Sequence, residues 1–441
     1  MIEKVPKSSK GDVLKSLKLL DDPEMVPLLR KINGEYAYWD KVKYLAPKGG
    51  DAKSLWNIVK ISRSLNAVAI PLGKYKFSFT ITENMLAMLH EFDMNLGGNL
   101  GTQNIIPERD KSYFLLSSVM EEAIASSQME GASTTRKVAK EMLRKQEKPK
   151  NKSQQMISNN YATIRYLVEH QQDNFSVDKL LYIHKLITNK TLDNSEDEGK
   201  LRTDDSIRVM DGITGEIAHT PPSHALVKTL LTSLCNFANE DNQNGFIHPI
   251  IKGIIIHFML AYIHPFVDGN GRTARSLVYW YFIKKGYWLT EYLSISRVIY
   301  KDKKQYEKAF LYTENDDNDL SYFIQFNLNV MEKAFEELKL YLQRKIAERD
   351  GVLLLKGVEG INERQAHILK ILSEKANSVF TTKEIISRFG VTGKTARADL
   401  QGLVSRGFME ETSLNKRTMG YTRARDFDVV MRKAQGKIEG I

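Results

Sequence analysis

Residues 251–263 (IKGIIIHFMLAYI) form an apolar run without proline. A helix that is apolar on every side has to be enclosed by other elements. The run therefore predicts a buried helix with the fold built around it. A stretch of opposite character follows: His264-Pro265-Phe266-Val267-Asp268-Gly269-Asn270-Gly271-Arg272-Thr273-Ala274-Arg275. Residues 276–285 have helical composition and end at Gly286, a C-cap signal. The order is buried helix, tight loop, helix N-terminus. Unpaired N–H groups and the helix dipole at such a terminus favour an anion. Gly269 and Gly271 let the backbone approach it closely. Arg272 and Arg275, three apart, offer forked donors to phosphate oxygens. Asp268 is placed to hold Mg²⁺ against those oxygens, and His264 stands at the mouth as a general base. The stretch suits a polyphosphate and a proton transfer.

These twelve residues fit the pattern HPFx[D/E]GNGRxxR at every fixed position, and the chain resembles the Fic family there. The resemblance implies a helical domain that transfers AMP from ATP to a Tyr, Ser or Thr hydroxyl of a protein. His264 would deprotonate that hydroxyl and Asp268 would bind Mg²⁺. Phe266, Asp268, the Gly269-Asn270-Gly271 backbone and Asn270 itself would hold the nucleotide, and Arg272 and Arg275 would neutralise its charge. Tyr306 matches a family position near the adenine, where a ring could stack. The family's phosphotransfer branch departs from GNGR; this chain keeps it, which favours attack on the α-phosphate. Upstream, Ser126-Ser127-Gln128-Met129-Glu130-Gly131 fits the family's inhibitory pattern [S/T]xxxE[G/N]. On its own the segment is equally an ordinary helix end. In the family reading, Glu130 projects from the tip of a helix over residues 112–130 and pairs with Arg275 where a phosphate would bind.

The remaining chain reads as mainly α. Helices are expected at 112–130, 133–146, 152–172, 176–191, 223–239, 248–263, 272–285, 303–313 and 318–348. The basic run 145–152 is a solvated linker. Residues 206–210 (SIRVM) and 216–219 (EIAH) alternate around Asp211-Gly212-Ile213-Thr214-Gly215, a hairpin signature. In the Fic family a hairpin here, the flap, lies over the active site and can register an extended target segment. Residues 1–110 are expected as a mostly helical extension without catalytic chemistry. In it Pro23 and Pro27 interrupt a helical stretch, Asp51 caps a helix carrying Leu55, Trp56, Ile58 and Val59, and residues 97–101 are a glycine-rich loop. Residues 111–348 are expected as the Fic core.

Residues 361–441 carry a different pattern. Three helical segments precede two short strands around Asn415-Lys416-Arg417, an order that resembles a winged helix-turn-helix. Lys394, Thr395 and Arg397 fall on the face of its recognition helix. This segment has fifteen Lys and Arg against nine Asp and Glu, +6 of the chain's net +10. That excess is compatible with contact to duplex DNA, with Lys416 and Arg417 at the hairpin tip. A protein-interaction role competes closely. Thr392-Gly393-Lys394-Thr395 is not a phosphate loop, because position 388 is Arg388 rather than glycine and no strand leads in.

Of 441 residues, 42% are hydrophobic and 27% charged, ordinary for a globular chain of several domains. No apolar run reaches the roughly 18–20 residues a membrane span requires. The single Cys235 lies in an apolar pattern and is expected to be buried and inert. A cytoplasmic setting and no membrane partner are the expectations, with a homodimer as an open alternative. The leading functional expectation is an autoinhibited adenylyltransferase that uses ATP and Mg²⁺. The alternatives are a DNA-binding regulator with a nucleotide-sensing core, and an enzyme using another donor or removing AMP.

Overall fold

The computed structural model describes residues 2–47, 50–97, 108–211, 214–240, 245–287, 290, 293–356, 360–415 and 418–436. Two compact units divide the chain, Met1–Leu338 and Lys339–Ile441.

The expected buried helix is Pro249–Ile263, with Pro249 in its first turn, where no N–H is needed. Ile254, Ile255, Ile256, Phe258 and Leu260 are at most 1% exposed. It packs against the motif helix Asn270–Lys284. Gly253 permits this close approach, since an added Cβ would run into the Phe282 ring. Helices Glu108–Met129, Lys152–Glu169, Val177–Thr188 and His224–Asn239 surround the pair. Their caps are legible in the sequence: Asn151 accepts from the Gln154 N–H, and Ser176 from the Lys179 N–H. Cys235 is 5% exposed, and burial pushes its thiol pKa up to about 11. Helix Arg136–Lys145 is shorter than expected, and Ser321–Lys356 is longer. Helix Ile295–Lys301 was not anticipated.

The flap is a short antiparallel hairpin, Val209–Met210 with Ile217–His219. Its tip residues Gly212 and Ile213 lie outside the described residues. A second hairpin, Val68–Leu72 with Tyr75–Phe79, was not anticipated; its inward side chains Ile70, Leu72, Phe77 and Phe79 are buried. Ser78 bridges to Asp319 ahead of the Ser321–Lys356 helix. Nearby, Arg63 is 3% exposed and donates to the Tyr322 hydroxyl, the Ala37 carbonyl and Asn33. The N-terminal residues thus share the core's compact unit. Asp51 caps helix Ala52–Ser64 as expected. Pro27 does not interrupt helix Met25–Gly34, because it sits in the first turn. Of the glycine-rich segment, 98–101 lie outside the described residues.

In the second unit, helices Glu363–Glu374, Thr382–Phe389 and Gly393–Ser405 precede the antiparallel strands Met409–Asn415 and Thr418–Arg423. The second helix is capped by Thr381. Phe380 exchanges backbone hydrogen bonds with Tyr421, which adds a bridge to the hairpin. Ile368, Leu369, Leu372, Ala396, Leu400 and Leu403 are fully buried. Asp399 ties the first helix to the third by accepting from Asn362 and Arg364. Helix Phe427–Gly436 follows. No helix among the described residues is long and apolar enough to cross a membrane.

Candidate active site

The buried helix ends at His264 in the left-handed conformation, φ 48° and ψ 60°. That reversal starts the loop. A second one at Gly269, φ 83°, delivers the chain into the motif helix. A Cβ there would lie 2.8 Å from Thr188 Cγ2, so the position requires glycine on two counts.

Side chains from outside the loop hold its backbone. The Gly199 N–H donates to His184 Nδ1 (3.1 Å), so Nε2 carries the ring proton and donates to the Asp268 carbonyl (2.8 Å). The His184 ring stacks on Phe266, with centroids 3.7 Å apart. Arg202 donates Nε to the His264 carbonyl (2.9 Å) and its backbone N–H to the Pro265 carbonyl (2.9 Å). Asn270 closes the loop from inside: Oδ1 accepts from the Phe266 N–H and Nδ2 donates to the Phe266 carbonyl. Two expectations change here. The Asn270 amide is committed to the loop, and Phe266 is fully buried against His184. Their side chains shape the cradle from behind.

His264 Nδ1 faces the Ala261 carbonyl at 3.3 Å, an acceptor only, which leaves the lone pair on Nε2. Burial lowers the imidazole pKa to about 4. The Ala261 carbonyl opposes this, while the charges of His219 and Arg202 add to it. The ordinary value of about 6.5 expected for a catalytic histidine does not apply here, and the ring is neutral at neutral pH.

Arg275 is 6% exposed, and its Nε and Nη2 are engaged. Nε donates to Ser126 Oγ, and Nη2 donates to the Ser126 carbonyl and to Glu130 Oε1, each at 2.9 Å. Helix Glu108–Met129 ends just before Glu130, and Gly131 turns the chain at φ 91°. The Glu130 carboxylate lies over the loop, where a Cβ on Gly271 would strike it. Burial pushes its pKa up, but Arg275, with Arg272 and Lys303 behind it, holds it below the ordinary carboxylate value. The expected pair of Glu130 and Arg275 is present in the structure.

Arg272 is 1% exposed, yet its polar contacts among the described residues are a 3.4 Å bond to the Ile187 carbonyl and a 3.6 Å approach to Asp268. Its Nε has no hydrogen-bond partner. A buried guanidinium so poorly satisfied suits an incoming anion. The Asp268 side chain is 56% exposed and accepts one short bond, from the Gly269 N–H, which leaves lone pairs free. Among the described residues no cluster of three metal-ligating side chains occurs. Asp268, with its free lone pairs, is the kind of single carboxylate that can hold Mg²⁺ together with phosphates.

Tyr306 is buried against Phe310, Phe323 and Phe326. Its hydroxyl lies 3.0 Å from His257 Nε2, and burial raises its pKa to about 12. Behind Arg275, Glu122 accepts from the Ser296 N–H and hydroxyl, and burial raises its pKa. Sequence reading missed His184, Arg202, His257, His219 and Glu122, which lie outside the linear motifs. Of the expected nucleic-acid contacts, Lys394 and Arg397 are exposed on helix Gly393–Ser405, while Thr395 bonds Thr392. Lys416 and Arg417 lie outside the described residues.

Residues 174–282 match the Fic/DOC family, a span that takes in His184, Arg202 and the whole loop but not Glu130 or Tyr306. Protein adenylyltransferase Fic of Drosophila grimshawi is 27% identical over 162 residues, 36% of this chain and 32% of that protein. The protein of the same name from Drosophila mojavensis is 32% identical over 124 residues, 28% of this chain and 22% of that one. The chain thus spans a third or less of these relatives. The crystal structure of a Fic family protein from Desulfovibrio desulfuricans G20 covers 78% of this chain and 97% of its own at 20% identity, with a TM-score of 0.49. Residues 174–282 are thus the part of the chain that resembles the Fic/DOC family.

Proposed function

We propose that the protein is an adenylyltransferase that moves AMP from ATP to a hydroxyl of a target protein and is held inactive by Glu130. The observation that carries the reading is the Glu130 carboxylate on Arg275, directly over the Gly269–Gly271 cradle and beside a neutral His264. The relatives named protein adenylyltransferase support the reaction class.

His264 Nε2 takes the proton of the target hydroxyl. The freed oxygen bonds to the α-phosphorus, and the bond to the bridging oxygen breaks with release of pyrophosphate. The motif-helix N-terminus, Arg272 and Arg275 offset the charge that develops on the phosphates. Mg²⁺ bound at Asp268 would neutralise phosphate charge in the same place. While Glu130 occupies Arg275, one cationic contact for the phosphates is lost, and the nucleotide is excluded or seated out of line.

The test is incubation with labelled ATP, UTP and other nucleotides, wild type beside Glu130→Gly. Label from ATP on protein, increased in Glu130→Gly and abolished by EDTA, supports the reading. Transfer only from another nucleotide, or removal of AMP from modified protein, would replace it. A second activity, duplex DNA binding by the C-terminal unit, is favoured by the exposed Lys394 and Arg397 on one helix and by the local charge excess.

A further inference from the structure

His219 ends the second flap strand, and its side chain is only 9% exposed. Both ring nitrogens lie at hydrogen-bond distance from an oxygen. Nδ1 is 2.7 Å from Glu314 Oε2, and Nε2 is 2.8 Å from the Tyr262 carbonyl. A carbonyl can only accept, and so can an ionised carboxylate. A neutral imidazole carries one N–H and would leave one contact as two lone pairs face to face. Turning the ring over would place carbon atoms at both contacts and lose both bonds. With Glu314 ionised, the pose requires two ring protons.

We propose that His219 is a positioning residue that holds the flap on the buried helix Pro249–Ile263 as an imidazolium shared between Glu314 and the Tyr262 carbonyl. Tyr262 stands in the last turn before His264, so the latch fixes the flap relative to the base. Glu314 comes from helix Lys303–Asn315, which also carries Tyr306, so the same side chain joins three elements around the site. The groups facing it are Glu314 and the Tyr262 ring at 5.0 Å, and its charge is felt at His264. Glu314 alone among these is an anion. The charge on His219 also acts on His264, where it helps keep the base unprotonated. That the flap receives the target rests on the proposed function; the charge state of His219 does not.

Histidine-labelled protein is examined by nitrogen NMR across pH, with His219 assigned from the signal lost in His219→Gln. Flap opening is followed by hydrogen exchange of residues 206–222, where the Asp211 and Gly215 N–H groups are bonded within the hairpin. Neither readout needs AMP transfer. Wild type should show both His219 nitrogens protonated while the flap is protected. Protection, corrected for intrinsic exchange, should then fall by about tenfold or more as the second proton leaves, the weight of one charge-assisted hydrogen bond. In Glu314→Gln the amide can donate to a neutral Nδ1, so His219 should carry one proton and flap protection should lose its pH dependence. A singly protonated His219 in a protected wild-type flap would overturn the proposal. So would identical pH profiles in wild type and a folded Glu314→Gln.

Discussion

The loop from His264 to Gly269 and the tip of the Glu130 helix meet at one end of the motif helix, and they are secured by different means. The loop is tied by His184, Arg202 and both ends of the Asn270 amide, through backbone groups that are buried at Asn270 and part-buried at the other two. Breaking the Asn270 pair strands buried polar groups, at a cost of about 1–3 kcal/mol. Glu130 is tied to the site by one ion pair, and its side chain remains 32% exposed. Water can take over that carboxylate when it leaves, so the pair is worth far less than its Coulomb attraction suggests. Arg275 is less easily stranded, because Ser126 satisfies it twice over. On the proposed function, the comparison separates two requirements: positioning a base needs a loop that cannot relax, while restraining an enzyme needs a group that detaches at low cost.

The largest effect should come from the fixed side. His264→Ala should lower AMP transfer by about 10²–10⁴-fold, the usual contribution of a positioned general base, with ATP binding by calorimetry changed little. Wild-type transfer in that variant would remove His264 from the mechanism.

On the releasable side, Glu130→Gly should raise self-modification by on the order of a hundredfold, the scale of correcting a misplacement of about one ångström. Arg275→Ala should stay inactive although it also frees Glu130, and the double variant should resemble Arg275→Ala. An unchanged rate and ATP affinity in Glu130→Gly would reduce Glu130 to a helix-end carboxylate.

Asn270→Ala tests whether the loop is as fixed as its bonds suggest. It strands the Phe266 N–H and carbonyl in a buried place and should destabilise the fold by roughly 1–3 kcal/mol, read as a lower urea midpoint. A variant as stable as wild type would mean that the loop relaxes or that water replaces the amide.

Acid sets the two sides against each other. Glu130 is held below its ordinary value, so the pair persists as pH falls towards that range. His264 stays neutral until pH approaches about 4 and is then protonated. The pH that would free Glu130 therefore also disables the base. The ratio of Glu130→Gly to wild-type rates should stay within about twofold from pH 7 to 5, because one ionisation state prevails on each group. A wild-type rate that climbs towards the variant's over that interval would show that something other than this pair restrains the enzyme.

Residues that act through linear spacing were legible in the sequence. His264, Gly269 and the arginines lie in one short motif, and the pairing of Glu130 with Arg275 followed from a second one. The residues that fix the loop were not, because His184 and Arg202 reach it from 84 and 62 residues away. A polar residue in a motif also looks available for ligand until its partners are known, as Asn270 illustrates. The N-terminal hairpin was overlooked although Val68–Leu72 and Tyr75–Phe79 alternate around the Gly73-Lys74 turn; Pro71 obscured the pattern, and an edge strand tolerates it. The pKa of His264 could not be read from sequence at all, because burial by distant elements sets it.

The smallest expected effect lies in the C-terminal unit. Lys394 and Arg397 are exposed on a helix whose other face carries the fully buried Ala396, Leu400 and Leu403. Cations displayed on a rigid surface bind a polyanion by releasing its counterions, with little dependence on sequence. Binding of the full chain to a short duplex, measured by fluorescence anisotropy, should weaken linearly on a log–log salt plot. Lys394→Ala and Arg397→Ala should each reduce the slope by about one, the share of a single phosphate contact. Neither change should alter AMP transfer by more than about twofold, since both lie in a separate compact unit. A slope that survives both substitutions would move the contact elsewhere on the chain, and no binding at low salt would leave this helix to a protein partner.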